Sequence, residues 1–138
     1  TEIKIDNSSN WQSIQWKSIE SAYKTSPFFE FYEDEFTALF NTPKEFLIAF
    51  NFECIEVINR CLNLEVIFTK SDQFSKSTSD SDYRFLVNAR KESIINNPSY
   101  IQVFQDKHGY INNLSILDLL FNEGPNALTY LKQNPLTF

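Results

Sequence analysis

Ser115, Asp118 and Asn122 stand at i, i+3 and i+7 within Asn113-Leu114-Ser115-Ile116-Leu117-Asp118-Leu119-Leu120-Phe121-Asn122-Glu123-Gly124-Pro125. Wound as a helix, this stretch carries one narrow polar strip on a surface otherwise covered by Leu, Ile and Phe. A carboxylate in such surroundings needs partners, because an unpaired buried charge is costly. Asp118 is therefore the first catalytic candidate, as a general base or a substrate-orienting group. The plainer alternative is a solvated strip or a capping partner. Asn113, Ser115 and Asn122 are the substrate-binding candidates beside it. Asn113 also stands where a helix cap is wanted, and capping is the preferred explanation there.

Other residues add acid–base and anion-binding chemistry. His108, the single histidine, is the one side chain whose ordinary pKa lies near neutrality, so it joins Asp118 as a catalytic candidate. It precedes Gly109 at an expected helix end, where an imidazolium is favoured by the carbonyls without any catalytic role. Asp82, Arg84, Arg90 and Lys91 follow a Ser-rich stretch, and the basic groups could hold a phosphate or carboxylate. The plainer reading is solvated charge. Trp16 and Tyr23, with Trp11, offer flat faces to a sugar ring, against the commoner role of core packing. Asn51 flanks an apolar stripe, where a buried amide would need hydrogen bonds.

The elements that position these groups read as mainly helical. Ile3 and Ile5 alternate with polar neighbours, as in a short edge strand. A helix from about Trp11 to Lys24 follows. Ser26-Pro27 reads as a cap and first helical position, opening a helix with a stripe of Phe28, Tyr32, Phe36 and Leu39. Thr42-Pro43-Lys44-Glu45 reads as the clearest start signal, for a helix running to about Leu62. Glu65 to Thr69 is rich in β-branched and aromatic residues and reads as a strand. Five of the eleven residues from Ser71 to Ser81 are Ser, which leaves too little apolar area to fold alone. Residues 71–81 are thus expected to form a mobile loop, either a lid or a surface connection. Helices are expected from about Asp82 to Arg90 and from Tyr100 to Lys107. The Asn113–Gly124 helix and a last turn from Asn126 to Leu131 close the chain. The expected fold is mainly α, with five or six helices around an aromatic-rich core and one or two short strands.

Composition narrows the function classes. At 138 residues with 42% hydrophobic content, the chain suits a single domain over residues 1–138. Fourteen Phe, six Tyr and two Trp must carry its core, since Met is absent. A net charge of −6, with Lys and Arg dispersed, argues against nucleic acid as partner. The apolar runs are too short to insert in a membrane. No secretory signal is visible, so the cytoplasm is the expected location. Cys54 and Cys61 lie seven residues apart on one expected helix, roughly 10 Å at a rise of about 1.5 Å per residue, and cannot bridge there. No metal site is expected from one His and two separated Cys. With two glycines there is no phosphate-binding Gly-rich loop and no Gly-x-Ser-x-Gly elbow.

The ordered segments Trp11-Gln12-Ser13-Ile14-Gln15-Trp16-Lys17-Ser18-Ile19, Ala22-Tyr23, Ser26-Pro27-Phe28-Phe29-Glu30-Phe31-Tyr32, Asp82-Tyr83-Arg84, Tyr100-Ile101-Gln102-Val103-Phe104 and Asn113–Pro125 together resemble the WbqC-like protein family. The resemblance covers nearly the whole chain. It departs from the family at Gln15, where relatives often have His, and at Asn112, where they often have Pro. Relatives begin with a further segment rich in Pro, Tyr and Asp, so the chain is expected to be truncated at its N-terminus. The resemblance implies a cytoplasmic role in bacterial surface-polysaccharide (O-antigen type) biosynthesis. Two readings stand open: an acyl or aminoacyl transferase acting on a nucleotide-linked amino sugar, or a noncatalytic interaction or scaffold module of that pathway. A nucleotide sugar or another small molecule is the implied ligand. Neither a cofactor nor an oligomeric state follows.

Overall fold

The computed structural model describes residues 3–71, 73–76, 83–87 and 97–135. Its helices follow the chain as α1 (Trp11–Tyr23), α2 (Phe29–Asn41), α3 (Leu47–Cys61), α4 (Gln105–His108), α5 (Ile116–Glu123) and α6 (Ala127–Gln133). Short 3-10 turns span Arg84–Val87 and Gly124–Asn126. The architecture is mainly helical around aromatic side chains, as expected.

The centre of the core is set by the spacing along α2. Phe29, Tyr32, Phe36 and Leu39 recur at helical intervals and are all buried. Phe28, expected on this stripe, is only half-buried, and its neighbour Phe29 is fully enclosed. Phe121 of α5 meets the α2 stripe edge-on, with ring centroids 5.2 Å from Phe29 and 5.5 Å from Phe36. Tyr23 of α1 reaches the same ring at 5.3 Å. Each enclosed ring contributes about 2 kcal/mol through burial, and edge-to-face contacts add to that. Val57 from α3, Leu62 just after it, Leu119 and Leu120 from α5, and Ala127 complete the core.

Several local signals are overruled by tertiary partners. Ser26 does not cap α2, because its hydroxyl donates back to the Tyr23 carbonyl at 2.6 Å and closes α1. Thr42 likewise donates to the Ala38 carbonyl at 3.0 Å, closing α2. The following helix starts only at Leu47, since residues 45–47 pair with the N-terminal segment. Ile5 N–H donates to the Glu45 carbonyl at 2.8 Å, Leu47 N–H donates to Ile3 at 2.9 Å, and Lys4 bridges Phe46 antiparallel. This isolated bridge replaces the expected edge strand, and no strand occurs among the described residues. Glu65–Thr69, expected as a strand, is exposed and irregular, because no other described segment offers it a ladder of hydrogen bonds.

The expected Tyr100–Lys107 helix shrinks to α4. Gln102 explains why: its buried amide donates to the Ile111 carbonyl and accepts from the Ile111 N–H, both at 2.9 Å. One side chain thereby ties two irregular strands of chain together as a backbone pair would. Of the expected Asp82–Arg90 helix, only the Arg84–Val87 turn lies among the described residues, and most of the Ser-rich stretch also falls outside them.

Candidate functional site

The apolar helix with the polar strip is real, but shorter than Asn113–Gly124. Ser115 is its N-cap, accepting a hydrogen bond from Leu117 N–H at 3.3 Å. Asn113 is not the cap; it takes a left-handed conformation at φ 56°, which Asn tolerates better than most residues, and its side chain is exposed. Gly124 ends the helix at φ 53°, as the Gly-Pro signal implies.

Asp118 stands in the first turn of α5, three residues after the Ser115 cap. A Ser-x-x-Asp pair would ordinarily fold the acid back onto the cap amide. Here the side chain turns inward instead. Asp118 is 3% exposed, and its Oδ2 accepts from the Tyr100 hydroxyl at 2.6 Å. Tyr23 of α1 feels the charge of the same carboxylate. Asn122, also buried, donates its amide to the Asp118 backbone carbonyl at 2.8 Å. The strip therefore serves as an anchor. It joins α1, α5 and the 97–112 segment, where Tyr100 packs edge-on against Tyr110 and Tyr130, and both of those hydroxyls donate to the Pro98 carbonyl.

This cluster perturbs its phenols. Burial, then the Asp118 charge, pushes the Tyr23 hydroxyl up to about 12. Burial and the Asp118 hydrogen bond raise Tyr100 as well. Unfolded tyrosine ionises near pH 10 while these phenols stay protonated in the fold. Their contribution to stability is thus intact below pH 10 and is lost as pH climbs from 10 towards about 12. Melting temperature should fall across that window, and Tyr23→Phe should make the fall shallower. A pH profile of equal slope in both proteins would contradict this origin.

The remaining site candidates are scattered. His108 is exposed at the end of α4. Trp16 stacks between Phe29 and Phe40 at 5.9 and 5.8 Å, as a core residue. Arg84 donates to the Ser75 carbonyl at 2.8 Å and lies 5.5 Å from the Phe74 ring. Asn51 is exposed and needs no buried partner. Asp82, Arg90 and Lys91 lie outside the described residues. Of the sequence candidates, then, the fold brings together Asp118, Tyr23 and Asn122 and leaves His108, Trp16 and Arg84 apart.

A groove of about 600 Å³ opens elsewhere, between α2, the C-terminal end of α3 and the start of α6. Its size suits a small-molecule site. Phe31, Tyr32 and Glu35 form one wall, Arg60 to Asn63 a second, and Gly124, Pro125, Leu128 and Thr129 the third. Arg60 places Nη2 at 3.0 Å and Nε at 3.3 Å from Glu35 Oε2. The Cys61 thiol is pushed up to about 11, chiefly by burial and then by the Glu35 charge, so it stays protonated and weakly nucleophilic at neutral pH. Tyr32 is 4% exposed, and its hydroxyl has no hydrogen-bond partner among the described residues. Among the described residues no sealed side-chain polar atom is left unsatisfied, so that hydroxyl is not sealed from solvent, on a residue that lines the groove. A second depression of about 610 Å³ beside α1 offers only Lys17, Ser18 and Ser21 as polar groups. Sequence reasoning missed the first groove. Glu35 and Arg60 are 25 residues apart on different helices, each looks like ordinary surface charge, and Tyr32 reads as core.

Among the described residues, no cluster of His, Cys, Asp and Glu could hold a metal, and no helix is long and apolar enough to cross a membrane. No curated protein and no solved structure matches the chain. The WbqC-like protein family matches residues 1–97, so the resemblance at Tyr100–Phe104 and at Asn113–Pro125 falls beyond the matched span. The match takes in well over half of the sequence, through α1, α2 and α3, and the chain belongs to the WbqC-like protein family.

Proposed function

We propose that this chain serves bacterial surface-polysaccharide biosynthesis, of the O-antigen type and in the cytoplasm, as a transferase that moves an acyl or aminoacyl group onto a nucleotide-linked amino sugar. The observation that carries this reading is the groove, whose Glu35–Arg60 pair and Tyr32 hydroxyl, without a partner among the described residues, suit the acyl or aminoacyl side of the transfer rather than the nucleotide. In such a transfer, the sugar amine attacks the carbonyl carbon of an ester or thioester, the carrier's alcohol or thiol leaves, and the amine loses a proton. Asp118 and His108 are the acid–base candidates from the sequence, and neither lines the groove. His108 is accessible, whereas Asp118 would have to be uncovered from Tyr100 to meet a substrate.

The test is incubation with a panel of nucleotide-linked amino sugars and acyl thioesters, read by mass. Acylated sugar supports the reading, and no product with any pair would sink it. The burial of Asp118 favours a second reading, the noncatalytic interaction module, in which the polar strip only holds the fold together. Asp118→Asn separates the two. A catalytic Asp118 predicts lost turnover with the fold intact. The module predicts a changed melting temperature with ligand binding unchanged.

A further inference from the structure

We infer that the groove beside the end of α3 binds a free α-amino acid with an apolar or aromatic side chain, an inference that rests on the transferase reading only in taking the groove as the seat of its aminoacyl group, since a free carboxylate is not itself an acyl donor. The groove offers one cationic group and one anionic group side by side. Both Arg60 contacts fall on a single Glu35 oxygen, Oε2. Glu35 Oε1 and Arg60 Nη1 therefore have no partner among the described residues, which leaves an acceptor for an ammonium next to a donor for a carboxylate. The two side chains are 47% and 58% exposed, so their mutual attraction is weak and a ligand can share it at little cost.

The rest of the groove suits the body of such a molecule. Leu62, Pro125 and Leu128 supply apolar surface. Phe31, 73% exposed, presents an aromatic ring at the same wall. The Tyr32 hydroxyl adds a third polar contact from an otherwise buried side chain. Charge balance selects the zwitterion over the nucleotide. A diphosphate would meet one guanidinium already beside a carboxylate, on a chain of net charge −6, whereas a ligand with one charge of each sign satisfies both groups. A wholly apolar ligand would leave them both unmatched.

The test is calorimetric titration of the full chain with L-phenylalanine and L-leucine, beside 3-phenylpropionate and phenethylamine, which each carry one of the two charges. The amino acids are expected to bind, and each single-charge analogue to bind about tenfold more weakly. Glu35→Gln, Arg60→Gln and Tyr32→Phe should each weaken amino-acid binding by about tenfold, with melting temperature unchanged. Absence of amino-acid binding at millimolar concentration overturns the inference, as does binding that the three variants leave untouched, or analogues that bind equally well. Transfer activity without amino-acid binding removes this inference alone. Amino-acid binding without any transfer product upholds it and removes the transferase reading.

Discussion

Gly124→Ala is expected to cost about 4 kcal/mol, combining strained backbone with overpacking. Gly124 sits at φ 53° and ψ −124°, a region that L side chains rarely adopt. Its missing Cβ is equally necessary. A methyl there would lie 2.7 Å from Phe28 Cδ2 and closer still to two other ring carbons. Phe28 has little room to withdraw, because its N–H donates to the Phe121 carbonyl at 3.0 Å and ties it to α5. The loss is a large part of a typical domain stability of about 5 to 15 kcal/mol, and melting should drop by about 10 °C or more. Urea unfolding would measure it, and a change under about 1 kcal/mol would refute the steric argument. Two further variants divide the effect. Gly109 also has positive φ but open space around its missing Cβ, so Gly109→Ala should show only the backbone part. Phe28→Ala in the Gly124→Ala background should recover part of the steric loss, as a coupling between the two sites.

Asp118→Ala carries the second large effect, about 3 kcal/mol, because it removes a buried charged acceptor and leaves its donors behind. Tyr100 loses a 2.6 Å bond, and Tyr23 loses the carboxylate that it faces. Tyr100 also holds the edges of Tyr110 and Tyr130, so the 97–112 segment should loosen before the α1–α3 region does. Amide exchange would show this as faster exchange at Gln102 and Ile111, whose mutual hydrogen bonds lie in that segment. Asp118→Asn keeps the shape and one acceptor oxygen, and should cost less. Tyr100→Phe should cost about 1 to 2 kcal/mol, since the carboxylate keeps Tyr23. A double-mutant cycle between positions 100 and 118 gives the strength of their contact, and zero coupling would rule out the anchoring role.

Much of the helical frame was legible from periodicity alone. Tyr32, Phe36 and Leu39 repeat at intervals that only a helix gathers on one side, and all three are buried. The Ser115–Asp118–Asn122 strip and the stop at Gly124-Pro125 were readable in the same way. The capping signals misled at Ser26-Pro27 and Thr42-Pro43. A hydroxyl between two helices can bond forwards or backwards, and here both close the preceding helix. Glu65–Thr69 has the composition of a strand, but a strand exists only with a neighbour to receive its hydrogen bonds.

Sequence by itself determined which faces are apolar and where α5 stops, because those properties depend on residues a few positions apart. Tertiary structure alone decided what Asp118 touches and where a ligand could sit. Tyr100 reaches Asp118 across 18 residues, and Arg60 reaches Glu35 across 25. Which of the many available phenols and charges meet is set by how α2 packs against its neighbours, and no local spacing encodes that choice.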